Sequence, residues 1–270
     1  MKMNNSKNIE KTFSKRIERK KLLEQNLLSS ILNDSGSVFN SLFNESFFEG
    51  KSISQIRNTY LDDPNFTNYA DSVFSREIRL KVRIREYLSD DPQLNQCYFE
   101  IKSKVCDVTF KKRLAFDRSL FEFLKPNLVR NYIERSFERI SFINPDKSSE
   151  EIAEFLDEML DILTVQSYSP VLTTSYRRHS FALRSNPEVR LTIDDSIQFN
   201  LIRYAQHNLP PYSKIETDSS VVVEIKSLVE DDMMAKFLMQ EVFGSEESFS
   251  KYCCGIFKSH RMLQQHGATF

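Results

Sequence analysis

Apolar and polar residues alternate with a period of two in several separate stretches of the chain. The clearest is REIRLKVRIR (76–85), where Ile78, Leu80, Val82 and Ile84 alternate with Arg79, Lys81, Arg83 and Arg85. Successive side chains of a β-strand point to opposite faces of the sheet. This stretch therefore predicts a strand with one apolar face and one cationic face.

The same pattern predicts further strands on both sides of the middle of the chain, at 53–62, 97–105, 108–116, 171–183, 188–195 and 221–226. The turn sequence SDDPQLN (89–95) predicts a hairpin between the strands at 76–87 and 97–105. Residues 12–21 fit two interpretations. They form a strand with Arg16, Glu18 and Lys20 on one face, or they begin a charged helix.

Apolar residues at helical spacing predict helices at 22–33, 119–138, 152–163, 230–243 and 246–265. Pro126 is expected to interrupt the second of these, and Ser148 with Glu151 forms a capping box before the third. Because strands flank a helical middle, the sequence predicts a single α+β domain over residues 11–270. Residues 1–10 are polar and are expected to be a disordered tail.

Composition narrows the possible functions. The net charge is −1, so no global field attracts nucleic acid or a membrane. No apolar run approaches the roughly 18 residues of a membrane span, and the N-terminus lacks the apolar core of a signal peptide. The four cysteines show neither zinc nor CxxC spacing, which favours reduced thiols and a cytoplasmic location. With only five glycines and no glycine-rich loop, phosphate would be bound by side chains.

The cationic faces recur on at least four predicted strands, 78–85, 99–104, 189–194 and 221–226. If these strands close into an antiparallel β-barrel, the lysines and arginines converge on its axis. Clustered cations need anions to stay together, and arginine matches phosphate oxygens with two parallel hydrogen bonds. The pattern favours a tunnel for a polyanion, although any one strand alone would equally fit a solvated face.

The ordered stretches RIERK (16–20), KVRIREY (81–87), FEIK (99–102), VLTTSYRR (171–178), VRLTID (189–194), VVVEIK (221–226) and FSKY (249–252) with Gly255 carry a family resemblance. The chain resembles the VTC-type polyphosphate polymerase domain, a branch of the CYTH-like triphosphate tunnel metalloenzymes. The resemblance implies an antiparallel β-barrel with flanking helices. It also implies a free-standing, bacterial-type version without the phosphate-sensing and membrane domains of eukaryotic complexes.

The resemblance also implies roles for individual residues. The implied catalytic and phosphate-binding cations are Lys20, Arg83, Arg85, Lys102, Arg178, Arg190, Lys226 and Lys251, with Lys251 near the growing chain. The implied metal ligand is Glu224, with Glu18 and Glu100 as further carboxylates. Arg79 and Lys81 have no counterpart and are expected at the tunnel mouth.

The implied function is ATP-dependent synthesis of inorganic polyphosphate, assisted by Mn²⁺ or Mg²⁺. The expected partners are ATP and polyphosphate or pyrophosphate. Nucleic acid is not expected, because single-strand binders stack bases on aromatic residues and these strands carry aliphatic residues opposite their cations. Two alternatives use the same cations: a metal-dependent triphosphatase and a non-catalytic polyphosphate-binding module.

Overall fold

One curved antiparallel sheet organises the chain in the computed structural model. The structure describes residues 16–26, 29, 38–46, 53–89, 96–106, 108–202, 214–215 and 220–265. The predicted tail at 1–10 and half of the helix predicted at 22–33 lie outside these residues. Of the described half, residues 25, 26 and 29 are helical. The strands are β1 (Arg16–Glu24), β2 (Phe43–Glu45), β3 (Ile53–Asp62), β4 (Ile78–Leu88), β5 (Gln96–Val105), β6 (Val108–Phe116), β7 (Ser169–Leu183), β8 (Arg190–Leu201), β9 (Lys214–Ile215) and β10 (Ser220–Leu228).

The α-helices whose bounds the structure describes are α1 (Val38–Leu42), α2 (Thr67–Val73), α3 (Pro126–Ile143), α4 (Ser149–Thr164), α5 (Asp232–Leu238) and α6 (Lys251–Gln265). Helix α3 begins at Pro126, as its fixed φ favours. The predicted capping box is present at α4, where Ser148 Oγ accepts from the Glu151 amide and the Glu151 carboxylate accepts from the Ser148 amide.

The strand order is β1-β10-β8-β7-β3-β4-β5-β6, with β2 beside β7 and β9 beside β8, and the described pairs are antiparallel. The predicted α+β class is confirmed, but the predicted closed barrel is wrong in one respect. Among the described strands, the edge strands β1 and β6 do not pair with each other. Alternation shows which side chains share a face. It does not show whether the outermost strands meet.

Apolar cores cover the convex side of the sheet. Helices α3 and α4 pack on β4, β5 and β6 around residues such as Phe99, Leu114 and Met159. Helix α5 and the π-helical turn Met239–Phe243 pack on β8 and β10 around Ile193 and Val223. The charged face of the sheet therefore lies on the concave side.

Helix α6 packs against the concave side of β7 and β8, within a core that contains Leu172, Phe199 and Tyr252. Gly255 permits the close approach, because a Cβ there would lie 2.5 Å from Leu172 Cδ2 and 2.6 Å from Phe199 Cδ1. The glycine thus allows the helix to bring its first residue, Lys251, to the charged face.

The second predicted helix ends at Ile143 and not at residue 138, and two other predicted boundaries near the site were also wrong. Leu22–Glu24 continue β1 instead of starting a helix, because they pair with residues 220–222 of β10. The last helix begins at Lys251 and not at residue 246, because the preceding residues run along β1, where the Glu247 amide donates to the Lys20 carbonyl at 2.7 Å.

Candidate functional site

A cavity of about 170 Å³ lies on the concave side of the sheet. Seven strands, β1, β3, β4, β5, β6, β7 and β10, contribute to its wall. The segment before α6 and the first residue of that helix complete it. The lining residues are Glu18, Lys20, Tyr60, Lys81, Arg83, Arg85, Lys102, Lys111, Tyr176, Arg178, Val222, Glu224, Lys226, Phe249, Ser250 and Lys251. Nine of these carry positive charge and two carry negative charge, so the lining has a surplus of seven positive charges.

Strands β4 and β5 place a buried carboxylate beneath two arginines. Glu100 is 1% exposed, and its Oε2 accepts from Arg83 Nε at 2.8 Å and lies 3.8 Å from Arg85 Nε. Lys111 of β6 lies 2.7 Å from the other Glu100 oxygen. Burial alone would raise the pKa of Glu100, but Arg83, Arg85 and Lys111 hold it well below its usual range. Glu100 therefore stays ionised and holds the three cations in place.

A second buried carboxylate holds cations from two different elements. Asp194 of β8 is fully buried, and it accepts two hydrogen bonds from Arg178 of β7, at 2.6 Å and 2.7 Å. It also accepts from Lys251 Nζ at 2.6 Å. These two cations lower the pKa of Asp194 to about 2 despite its burial. Asp194 thus fixes the first turn of α6 against the sheet.

Strands β1 and β10 present charges of alternating sign. Glu18 pairs with Lys226 and Lys20 pairs with Glu224 in the antiparallel register, so the two glutamates occupy diagonal positions on one face. Lys226 Nζ lies 3.2 Å from Glu224 Oε1, and Lys20 Nζ lies 3.7 Å from Glu18 Oε2. Burial would raise the pKa of Glu224, but Lys226 and Lys20 lower it well below its usual value. Both glutamates are therefore anionic at neutral pH.

An ion pair connects edge strand β1 to β5, the strand next to the opposite edge of the sheet. Lys102 Nζ of β5 donates to both carboxylate oxygens of Glu18 on β1, at 3.0 Å and 2.9 Å. These strands are six places apart in the strand order. The sheet must therefore curl until the strands face each other across the cavity. Side chains complete the tunnel wall where backbone hydrogen bonds do not.

Two tyrosines complete the cavity wall. The Tyr176 hydroxyl accepts from Arg85 at 3.4 Å and from Asn58 Nδ2 at 3.3 Å. Burial alone would raise the pKa of Tyr176, but Arg85 and Arg178 lower it to about 8. Tyr60 lies on β3 and stacks on Tyr252 of α6 with ring centroids 4.9 Å apart.

The structure brings most of the predicted site residues together. Those that line the cavity are Lys20, Arg83, Arg85, Lys102, Arg178, Lys226, Lys251, Glu18 and Glu224. Two predicted residues do not line it. Arg190 shares the face of its strand partner Lys226 but is exposed near the start of β8. Glu100 accepts from Arg83 and does not line the cavity, and its predicted part in metal binding stays a prediction.

The sequence prediction missed several members of the site. Lys111, Tyr60 and Tyr176 line the cavity, and Asp194 holds two of its cations. Lys111 could have been found from the alternation in VTFKKRLAF. Tyr176 and Asp194 lie within the stretches VLTTSYRR and VRLTID that carry the family resemblance, whereas Tyr60 carries no comparable signal. Lys81, expected at a tunnel mouth, lines the cavity.

Glu18 and Glu224 are the residues that could hold a divalent metal. Among the residues that the structure describes, no three carboxylate, histidine or cysteine side chains gather around one point. However, Mg²⁺ is commonly held by one or two carboxylates together with substrate phosphates. Two ionised carboxylates on neighbouring strands of one phosphate-sized cavity fit that requirement.

The VTC domain family matches residues 2–260, and the chain therefore belongs to the VTC domain family. No curated protein matches the sequence. Among solved structures, the chain is similar to a Bacillus halodurans protein provisionally described as an adenylate cyclase, with 13% identity and a TM-score of 0.49. The match covers 88% of this chain and 95% of that one.

Helices long and apolar enough to cross a bilayer do not occur in the part of the chain that the structure describes.

Proposed function

We propose that this chain is a polyphosphate polymerase, which transfers the γ-phosphate of ATP to the end of a growing polyphosphate chain. The observation that carries the proposal is the cavity lined by nine lysines and arginines. Asp194 and Glu100 do not line the cavity, but each contacts cations that do. When their two negative charges are subtracted from the surplus of seven, five positive charges remain. Such an excess matches a triphosphate group and a phosphate chain.

The chemistry needs positioning and charge neutralisation more than covalent work by the protein. A terminal oxygen of the acceptor chain attacks the γ-phosphorus, the bond from that phosphorus to the bridging oxygen breaks, and ADP leaves. Arg83, Arg85 and Arg178 are held in fixed positions by buried partners. Because these donors are already oriented, they can stabilise charge on the phosphoryl oxygens without reorganising.

Glu18 and Glu224 would hold the divalent metal, Mn²⁺ or Mg²⁺, which when bound would neutralise charge on the phosphate oxygens. The two glutamates are now paired with Lys20, Lys102 and Lys226. Loss of these pairings would leave the three lysines available to contact phosphate.

The FSKY segment supports the polymerase over the other two functions considered. Phe249, Ser250 and Lys251 line the cavity, and this segment resembles the polymerases of the family. A triphosphatase would use the same strand cations, and a binding module would not require Glu224.

Product analysis distinguishes these functions. Purified protein is incubated with ATP and MnCl₂, with and without a short polyphosphate primer, and the products are resolved on a gel. We expect a ladder of lengthening polyphosphate with one ADP released for each phosphate added. Free phosphate without a ladder would identify a triphosphatase, and binding of polyphosphate without turnover would identify a binding module.

A further inference from the structure

Three lysines lie side by side across the cavity wall. In the antiparallel register Lys81 of β4 is directly opposite Lys102 of β5, and Lys102 is directly opposite Lys111 of β6. All three line the cavity. Like charges directly opposite each other destabilise a sheet, so this row needs compensating anions.

Two of the three lysines have carboxylate partners. Lys102 is paired with Glu18 at 2.9 Å, and Lys111 with Glu100 at 2.7 Å. Lys81 Nζ instead donates to the neutral Ser250 Oγ at 3.1 Å, and no carboxylate of the described residues lies within ion-pair distance of it. Burial and the neighbouring Lys20, Lys102 and Arg79 lower the pKa of Lys81 to about 8. The lysine lacks the anion that would stabilise its charge.

Arg79 is the next cation along the same face of β4. Arg79 is opposite Lys104 of β5, and its Nε is buried without a hydrogen-bond partner in the described part of the chain. A buried donor that forms no hydrogen bond costs free energy. Residues two apart on a strand are separated by roughly 7 Å, so Arg79 extends the line of cations that begins at Arg83 and Lys81.

We propose that Lys81 and Arg79 form a further anion subsite, which continues the cavity along β4 and binds a phosphate of a chain longer than a triphosphate. This inference rests on the proposed function and extends it. Arg83, Arg178, Lys102 and Lys111 each have a carboxylate of the protein nearby. The subsite differs from these four cations because its compensating anion comes from the ligand. A phosphate chain long enough to reach the subsite therefore binds more tightly.

Isothermal titration calorimetry with two probes tests the subsite: tripolyphosphate and long-chain linear polyphosphate. The variants are Lys81→Met, Arg79→Gln and Lys81→Arg, each checked for folding by thermal unfolding. Lys112→Met is the matched control, because Lys112 is a neighbouring lysine of β6 that pairs with Glu158 of α4 and does not line the cavity.

We expect Lys81→Met and Arg79→Gln each to weaken long-chain polyphosphate binding by about tenfold, the loss of one charge-assisted hydrogen bond. Tripolyphosphate binding should change by less than about twofold, and Lys81→Arg should retain the preference for the long chain. Equal losses for both probes, or no loss for either, would overturn the subsite. If the wild-type protein binds neither probe, the proposed function itself fails. If it binds both without the expected selectivity in the variants, only the subsite fails.

Discussion

Asp194→Asn tests whether buried carboxylates stabilise the cations of the cavity. The substitution keeps the shape of the side chain but removes the charge that Arg178 and Lys251 share. Because Asp194 is fully buried, its loss leaves two cations poorly compensated in the cavity. A buried pair that loses one partner costs about 3–5 kcal/mol.

The lowered pKa of Asp194 gives a second, smaller value for the stability that its charge contributes. A pKa held at about 2 instead of 3.8 corresponds to about 2 kcal/mol of stabilisation by the charged form. Because the folded-state pKa is the lower one, this stabilisation is present above pH 3.8 and disappears as pH falls toward 2. We therefore expect a loss of about 3 kcal/mol at neutral pH, which shrinks in acid. The melting temperature should fall by roughly 6–10 °C.

Thermal unfolding with and without saturating tripolyphosphate is the assay. The anion should raise the melting temperature of Asp194→Asn more than that of the wild type, since it replaces the missing charge beside Arg178 and Lys251. Asp195→Asn is the matched control. Asp195 is the adjacent buried aspartate, but it binds Arg177, whose side chain is 46% exposed. The reasoning is refuted if both variants lose the same stability and gain equally from tripolyphosphate.

Three further outcomes follow from the site. Glu224→Gln should abolish metal-dependent turnover of ATP while polyphosphate affinity stays the same or rises, since one negative charge leaves the cavity; wild-type rates would remove Glu224 from the metal site. Arg83→Ala should weaken ATP binding by about 1.5–3 kcal/mol, the range for a hydrogen bond to a charged group, whereas Arg177→Ala, which does not line the cavity, should leave calorimetric affinity unchanged. Polyphosphate affinity should fall as pH rises through about 8, because Lys81 and Lys111 have their pKa lowered to about 8 by burial and lose charge above it; affinity that is constant or rises across this range would contradict the assignment.

Strand alternation was a reliable guide because it is local. The cationic faces of β4, β5 and β10 were predicted from single stretches, and their residues do converge on the concave side of the sheet. The strand interpretation of residues 16–20 was also correct. In each case the period of two fixes which side chains share a face, whatever the neighbouring strand.

The remaining features depend on contacts between distant residues. A register shift in the pairing of β7 with β8, between Ser175 and Arg177, breaks simple alternation there. The sequence therefore could not show that Asp194 meets Arg178 while its neighbour Asp195 meets Arg177. The extended segment before α6 is likewise held by a contact with β1, which no helical periodicity reveals. Arg190 does not line the cavity, because alternation gives its face but not its position at the exposed start of β8.

The central claim is that the cavity recognises a triphosphate group. Calorimetric titration of the wild-type protein with ATP, tripolyphosphate and AMP, each in MnCl₂, tests it most directly. We expect ATP and tripolyphosphate to bind with similar affinity and AMP to bind at least about a hundredfold more weakly, because AMP lacks two of the phosphates that the cations would contact. AMP binding as tightly as ATP, or tripolyphosphate failing to bind, would contradict the account.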